Sequence, residues 1–173
     1  MIVVSDTTPL ISLLKIDRMG LLEKLFGQVL IPQAVFDELT ADERFKFEAD
    51  QIRGKQFIKV KTVKNPEYTS LLKRATGLDQ GESEAIILTD EQNADVLLMD
   101  EAKGRMVSFQ MGFKVMGTIG ILIAAYEENE LTADEVRECV EGLQRAGRHI
   151  GQKHYRMLLD KLNDYDKPNS RNQ

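Results

Sequence analysis

The sequence predicts a three-layer α/β/α domain on a central parallel sheet of about five strands, and three observations predict it. Apolar runs too short to make helices of their own recur along the chain, most plainly Ile2-Val3-Val4, Val29-Leu30-Ile31 and Val96-Leu97-Leu98-Met99. Such runs suit strands buried on both faces. Segments with helical apolar spacing lie between them, and strands alternating with helices pair in parallel through right-handed crossovers. Finally, two of the runs end at an acid, Asp6 and Asp100, the second followed at once by Glu101. In one parallel sheet both acids emerge at the same edge, outside the carboxyl ends of the strands, where open sheets of this kind bind ligands.

Taken in order, residues 2–5 form the first strand and Asp6-Thr7-Thr8-Pro9 opens a helix. Proline suits a first helical turn, and Asp or Thr suits its cap. Leu10, Ile11, Leu13 and Leu14 give that helix its apolar side; Gly20 interrupts it, Leu21, Leu22, Leu25 and Phe26 resume it, and Gly27 closes it. Val29-Leu30-Ile31 is a strand ended by Pro32. A helix from Gln33 to Thr40 points Val35 and Leu39 inward, which puts Glu38 on the border of the buried face. Residues 42–53 are helical by propensity, and Phe57-Ile58-Lys59-Val60 reads as a third strand.

Residues 67–76 form a short helix stopped by Gly77. Asp79 and Glu82 stand at capping-box spacing before the helix that carries Ala85, Ile86, Ile87 and Leu88. After the strand at 96–99, a helix spans about Glu101 to Met111, with Gly112 as its stop. Phe113 to Met116 is the last strand, and Gly117-Thr118 caps a strongly apolar helix. Thr132 to Glu135 is a second capping box, residues 153–163 form a final helix, and 164–173 read as a polar, disordered tail. One domain therefore covers 1–163, with a helical C-terminal extension from about residue 132.

Composition narrows the chemistry. At 173 residues, 42% hydrophobic and 29% charged, the chain is ordinary for a soluble globular domain. No stretch approaches the roughly 20 apolar residues of a membrane helix, no signal peptide is visible, and a single Cys139 suits a reducing cytoplasm. With one cysteine and two histidines, a thiolate or imidazole zinc site is nearly excluded, so metal chemistry must use oxygen ligands. A net charge of −5 argues against a protein that coats nucleic acid generally.

Four segments offer an acid at a strand end, helix start or helix border: Asp6, Glu38, Glu82 with Glu84, and Asp100 with Glu101. Each has a plain structural reading: Asp6 and Asp100 as helix caps, Glu38 as a solvated helix residue, Glu82 as the capping-box partner of Asp79. One shared site would replace four separate explanations. Converging carboxylates repel one another, and hard Mg²⁺ or Mn²⁺ relieves that repulsion while retaining waters that can be activated. Two such ions about 4 Å apart can activate a water and stabilise the leaving oxygen of a phosphodiester. Other acid-bearing α/β patterns fail: a receiver domain wants two adjacent acids after its first strand, a haloacid-dehalogenase phosphatase wants Asp-x-Asp, and this chain reads Asp6-Thr7-Thr8. The glycine-rich turn of a dinucleotide fold and the P-loop are absent.

The segments VVSDTTPLISL, LFGQVLIPQAVFDEL, LDQGESEAIILT, LLMDEAKGR and VMGTIGIL, running from residue 2 to about 124, resemble the PIN-domain superfamily. Its members include the VapC-type toxins, and the resemblance is nearest to a branch of nucleic-acid-binding prokaryotic PIN proteins. The resemblance implies a parallel sheet with acids gathered at one edge and Mg²⁺ or Mn²⁺ bound there for hydrolysis of single-stranded RNA. Asp6, Glu38, Glu82 and Asp100 match the four family acids and are the implied catalytic and metal-binding residues, with Glu84 and Glu101 as further candidates for the metal. Leu98 stands where many members carry Thr, and Glu82 where Asp is common. Lys103 and Arg105 are candidates for steering phosphates, against a reading as solvated helix face. A toxin's role opposed by a small antitoxin, and a homodimer, are implied by family membership alone. The alternative is a catalytically inactive PIN-like module that binds nucleic acid or protein.

Overall fold

Alternation of buried strands with amphipathic helices produces the expected layers. The structure, a computed structural model, describes residues 1–41, 46–148 and 150–165. Its five strands, β1 (Val3–Ser5), β2 (Val29–Pro32), β3 (Ile58–Lys61), β4 (Val96–Leu98) and β5 (Val115–Met116), are all parallel and ordered β3-β2-β1-β4-β5. The chain builds outward from β1 through β2 to β3, then returns to place β4 on the other side of β1. Strand order thus reverses at β1 and β4, the place where open sheets of this kind bind ligands outside the strands' carboxyl ends.

The helices are α1 (Thr7–Lys15), α2 (Gly20–Phe26), α3 (Gln33–Ala41), α4 (Lys46–Arg53), α5 (Pro66–Thr76), α6 (Gln80–Glu91), α7 (Ala102–Gln110), α8 (Thr118–Glu127), α9 (Ala133–Arg145) and α10 (Gln152–Tyr165). Successive strand residues point to opposite faces, and the core divides accordingly. Val3, Val29, Ile31 and Leu98 pack with Leu10, Leu13, Leu22, Val35, Leu39 and Ile121 on one face. Val4, Leu30, Leu97 and Met99 pack with Ala85, Ile86, Leu88 and Val107 on the other. Leu97, Leu98 and Met99 are fully buried, each worth about 1.5–3 kcal/mol in transfer free energy. The C-terminal helices form a third cluster, in which Val136, Val140, Leu143, Leu158 and Leu162 meet Leu122 and Ala125 of α8 and Leu21 of α2.

Some boundaries differ from expectation. β3 starts one residue late and buries only Ile58, as an edge strand with one covered neighbour can. Within α4, Ala49 and Ile52 are buried while Phe47 is exposed; residues 42–45 of the expected helix lie outside the described residues. α10 runs from Gln152 to Tyr165, past the helix end expected at 163. The rest of the expected tail, residues 166–173, lies outside the described residues. None of the helices is long and apolar enough to cross a membrane, among the described residues.

A candidate acidic site at the strand-order reversal

Asp6 is delivered by β1. Its backbone N–H donates to the Leu98 carbonyl at 2.9 Å, which ties the end of β1 to the end of β4. It occupies the N-cap position of α1, yet its carboxylate accepts no capping bond. The residue is only 3% exposed. Burial pushes its carboxyl up to about 7 from the ordinary 3.8; the Thr7 N–H partly offsets this, and the charges of Asp79, Glu82 and Glu38 add to it. The capping explanation for Asp6 therefore leaves its side chain unaccounted for.

Glu38 leaves the exposed border of α3, as its position beside Leu39 requires, and its Oε2 accepts a 2.7 Å bond from the Thr7 hydroxyl. It faces Asp6 across the first turn of α6. A Cβ on Gly81 would stand 3.2 Å from Glu38 Oε2 and 3.6 Å from Asp6 Oδ1, so the lack of a side chain there keeps the two carboxylates facing common space.

Glu82 lies one residue further along α6. The capping box is fully formed: Glu82 N–H donates to Asp79 Oδ1 at 2.8 Å, and Asp79 N–H donates to Glu82 Oε2 at 3.0 Å. The box leaves Glu82 Oε1 directed at α7, where a Cβ on Gly104 would come within 3.1 Å of it and would overlap Met99 Sδ. Burial raises the Glu82 carboxyl; the Asp79 backbone N–H lowers it, Asp79 and Glu101 raise it further, and Lys103 lowers it.

Asp100 is held differently. Thr118 donates to it twice, from its backbone N–H at 2.7 Å and from its hydroxyl at 2.6 Å, so the first turn of α8 engages both carboxylate oxygens. Here too a glycine clears the space, since a Cβ on Gly117 would lie 2.8 Å from Asp100 Oδ1 and 3.0 Å from Arg105 Nη1.

The remaining candidates have other engagements. Glu84 accepts from the Ala34 N–H at 3.0 Å and from Gln80 Nε2 at 2.7 Å, which fastens the start of α3 to α6. Glu101 is exposed at the N-cap of α7. Arg105 turns back to donate to the Met99 carbonyl at 2.9 Å, and Lys103, exposed, donates to the Gly77 carbonyl at 3.2 Å. Arg105 is thus a clamp on the end of β4, not a solvated helix residue.

Asp6, Glu38 and Glu82 therefore act on one another across side-chain-free turns, joined by Asp79, while Asp100 faces Thr118 and Gly117 at the end of the neighbouring strand. Sequence reasoning read Asp79 only as a cap; its place in the same LDQGE segment as Glu82 was the signal for more. The hydroxyls of Thr7 and Thr118 carried no signal beyond adjacency to an acid or a helix start. The donor chemistry fits a hard divalent cation: oxygen ligands alone, with a buried carboxyl that keeps its proton near neutrality for want of positive charge. Among the described residues, no three Asp, Glu, His or Cys side chains stand together as a ready coordination group. Glu38 accepts from Thr7 and Asp100 from Thr118, bonds that a carboxylate can keep while its remaining lone pairs meet a cation.

The sequence profile of a family described as PIN domain matches residues 2–164. A comparison with curated proteins finds no match.

Proposed function

The chain belongs to the PIN-domain family, a nuclease-type fold whose members are typically dependent on divalent metal, and from that premise we propose that it is a metal-dependent endoribonuclease hydrolysing single-stranded RNA. The observation that carries the reading is Asp6: a carboxyl buried at a strand end, uncapped, with three further acids acting on it. Isolated, such a group only destabilises the fold; a site that receives a cation gives it a purpose.

In this reading Asp6, Glu38, Glu82 and Asp100 hold Mg²⁺ or Mn²⁺, with Glu101 at the margin through its influence on Glu82. The bound ion supplies charge neutralisation at the phosphodiester and a water made acidic enough to react near neutral pH. The chain's own groups prepare for it. Asp6 would hold such an ion as the carboxylate, against the burial that favours its protonated form. Thr7 and Thr118 hold the Glu38 and Asp100 carboxylates in fixed orientations. Arg105 fixes the Met99 carbonyl beside Asp100, and Lys103, the exposed cation nearest Glu82, meets the incoming backbone phosphate. By family analogy the proposal extends to a cytoplasmic toxin opposed by a small antitoxin protein and working as a homodimer.

A second reading, a PIN-type module that binds nucleic acid or protein without cleaving, is favoured by one observation: Asp100 has both oxygens bound by Thr118. Cleavage of single-stranded RNA with Mn²⁺, set against EDTA and against Asp6→Asn and Asp100→Asn, decides between them. The nuclease reading expects cleavage by the parent protein only, with Mn²⁺ only. Equal cleavage by parent and variants marks a contaminant and removes it.

A further inference from the structure

Away from the acids, the C-terminal extension forms a second concave feature, which the nuclease reading leaves unused. Gly147, at φ 73, ends α9 and turns the chain back towards α10. A cleft of about 730 Å³ lies in that bend, between Gln144 and Gly147 on one side and Tyr155, Arg156 and Leu159 on the other, with Arg148 and Ile150 at its base. Its size is that of a small-ligand site. Among the described residues no lining side chain is acidic, in a chain whose net charge is −5. Two guanidiniums, a half-exposed phenol ring and an apolar floor are what a single nucleic-acid strand uses, with bases stacked on aromatics and phosphates beside cations.

Its placement ties it to the acidic site. Arg148 donates from Nε to Ser12 Oγ at 3.0 Å and from Nη2 to the Thr8 carbonyl at 3.4 Å. Both partners are on α1, the helix that begins directly after Asp6. Thr8 is two residues beyond Asp6, about 3 Å along a helix axis. Those two bonds use two of the five guanidinium N–H groups, and three remain for a ligand. Arg148 is thus held in place by α1 while it lines the cleft.

We propose that the α9–α10 cleft is a nucleotide subsite, in which Tyr155 stacks on a base and Arg148 and Arg156 engage the adjoining phosphate of single-stranded RNA. The substrate class rests on the ribonuclease reading; the subsite rests on the cleft. An acidic protein segment would meet the same guanidiniums but would leave the ring face without a matching planar group.

The test is binding of a short fluorescein-labelled single-stranded RNA, followed by anisotropy in EDTA so that nothing is cleaved. Tyr155→Ala should weaken affinity roughly 5- to 100-fold, the span that loss of one base–aromatic stack covers, and Tyr155→Phe should retain it. Arg156→Gln, at an exposed position, should reduce the slope of log affinity against log salt by about 0.7, one phosphate's worth. Arg145→Ala, a cation on α9 outside the cleft, should change neither. No saturable binding by the parent protein, parent-like binding by Tyr155→Ala, equal losses on double-stranded RNA, or equal displacement by polyglutamate at fixed ionic strength would each overturn the subsite. Manganese-dependent cleavage is scored separately. A protein that binds through Tyr155 but never cleaves keeps the subsite and loses the nuclease, and one that cleaves while both variants bind normally does the reverse.

Discussion

The capping box at the start of α6 and the one at the start of α9 are built alike. In each, an N-cap side chain accepts from the backbone N–H three residues on, and the glutamate there accepts from the N-cap N–H: Asp79 with Glu82, Thr132 with Glu135. The fates of the two glutamates are opposite. Hydrogen bonds from the Thr132 backbone and hydroxyl lower the Glu135 carboxyl, helped by Arg18 and Lys24, and the group stands in water. Burial raises the Glu82 carboxyl, with Asp79 and Glu101 adding to it. Local sequence makes the cap in both places. What differs is what the sheet brings alongside: β1 carries Asp6 to the α6 box, and nothing comparable reaches α9. Two identical caps can thus hold glutamates in opposite electrostatic settings, and only the buried one, with charge left uncompensated, stands out as a candidate for a site.

The widest separation between the two boxes should be catalytic. Glu82→Gln and Asp6→Asn should each lower Mn²⁺-dependent cleavage of single-stranded RNA by about 100-fold or more, while Glu135→Gln should stay within about two-fold of the parent. Equal losses at Glu82 and Glu135 would erase the contrast.

Stability should change next, and in the other direction. The folded protein holds the Asp6 proton up to about pH 7, whereas the ordinary carboxyl releases it near 3.8. The stability tied to that proton is complete below 3.8, drains away as pH rises through this window, and is gone above about 7. Its full extent is up to about 4 kcal/mol. Asp6→Asn removes the dependence, so in EDTA its melting temperature should rise above that of the parent at pH 8, with little difference at pH 4. A parent melting temperature that climbs from pH 4 to pH 8 while the variant tracks it would refute the assignment.

Crowding around the α6 box predicts a smaller effect. Gly104→Ala puts a methyl onto Met99 Sδ and against Glu82 Oε1, and overpacking of that kind costs about 1–3 kcal/mol in chemical denaturation. Gly20→Ala, where nothing stands within 4 Å, should be neutral or stabilising; matched losses at both positions would mean that helix propensity, not crowding, decides.

The smallest effect is a pair of opposed pH trends. Glu135, with its carboxyl lowered, contributes stability above the ordinary 4.5 that is lost as pH falls, so Glu135→Gln should do more harm at pH 7 than at pH 3. Glu82, with its carboxyl raised, loses stability as pH rises, so Glu82→Gln should do less harm at pH 7 than at pH 3. Denaturation midpoints of the two variants across that range would show parallel trends if the boxes were equivalent.

Much of this was legible in the chain. Four consecutive apolar residues marked Val96 to Met99 as interior, and Leu97, Leu98 and Met99 are fully buried with Val96 half-buried; both capping boxes stood at their spacing. Glu38 was placed on a helix border by its neighbours Val35 and Leu39, and there it is. Less legible was anything decided by long side chains or distant packing. Arg105 and Lys103 looked like free cations, but each folds onto a carbonyl, of Met99 and of Gly77. Glu84 and Glu82 are two residues apart and could not be told apart on spacing; the bond from the Ala34 N–H to Glu84 depends on α3 docking against α6. Nor could spacing reveal that Gly81, Gly104 and Gly117 all clear room beside carboxylates, since each also reads as ordinary turn or helix punctuation.

On the proposed reading, a cation completes the site to which Asp6, Glu38, Glu82 and Asp100 belong. Calorimetric titration of Mn²⁺ into the metal-free protein at about pH 6, roughly one unit below the Asp6 carboxyl so that it is almost fully protonated, in buffers of different ionisation enthalpy, is the sharpest test of this. Saturable binding should release close to one proton per protein, drawn from Asp6, and Asp6→Asn should bind more weakly and release none. Absence of binding, or the same proton release from the variant, would contradict it.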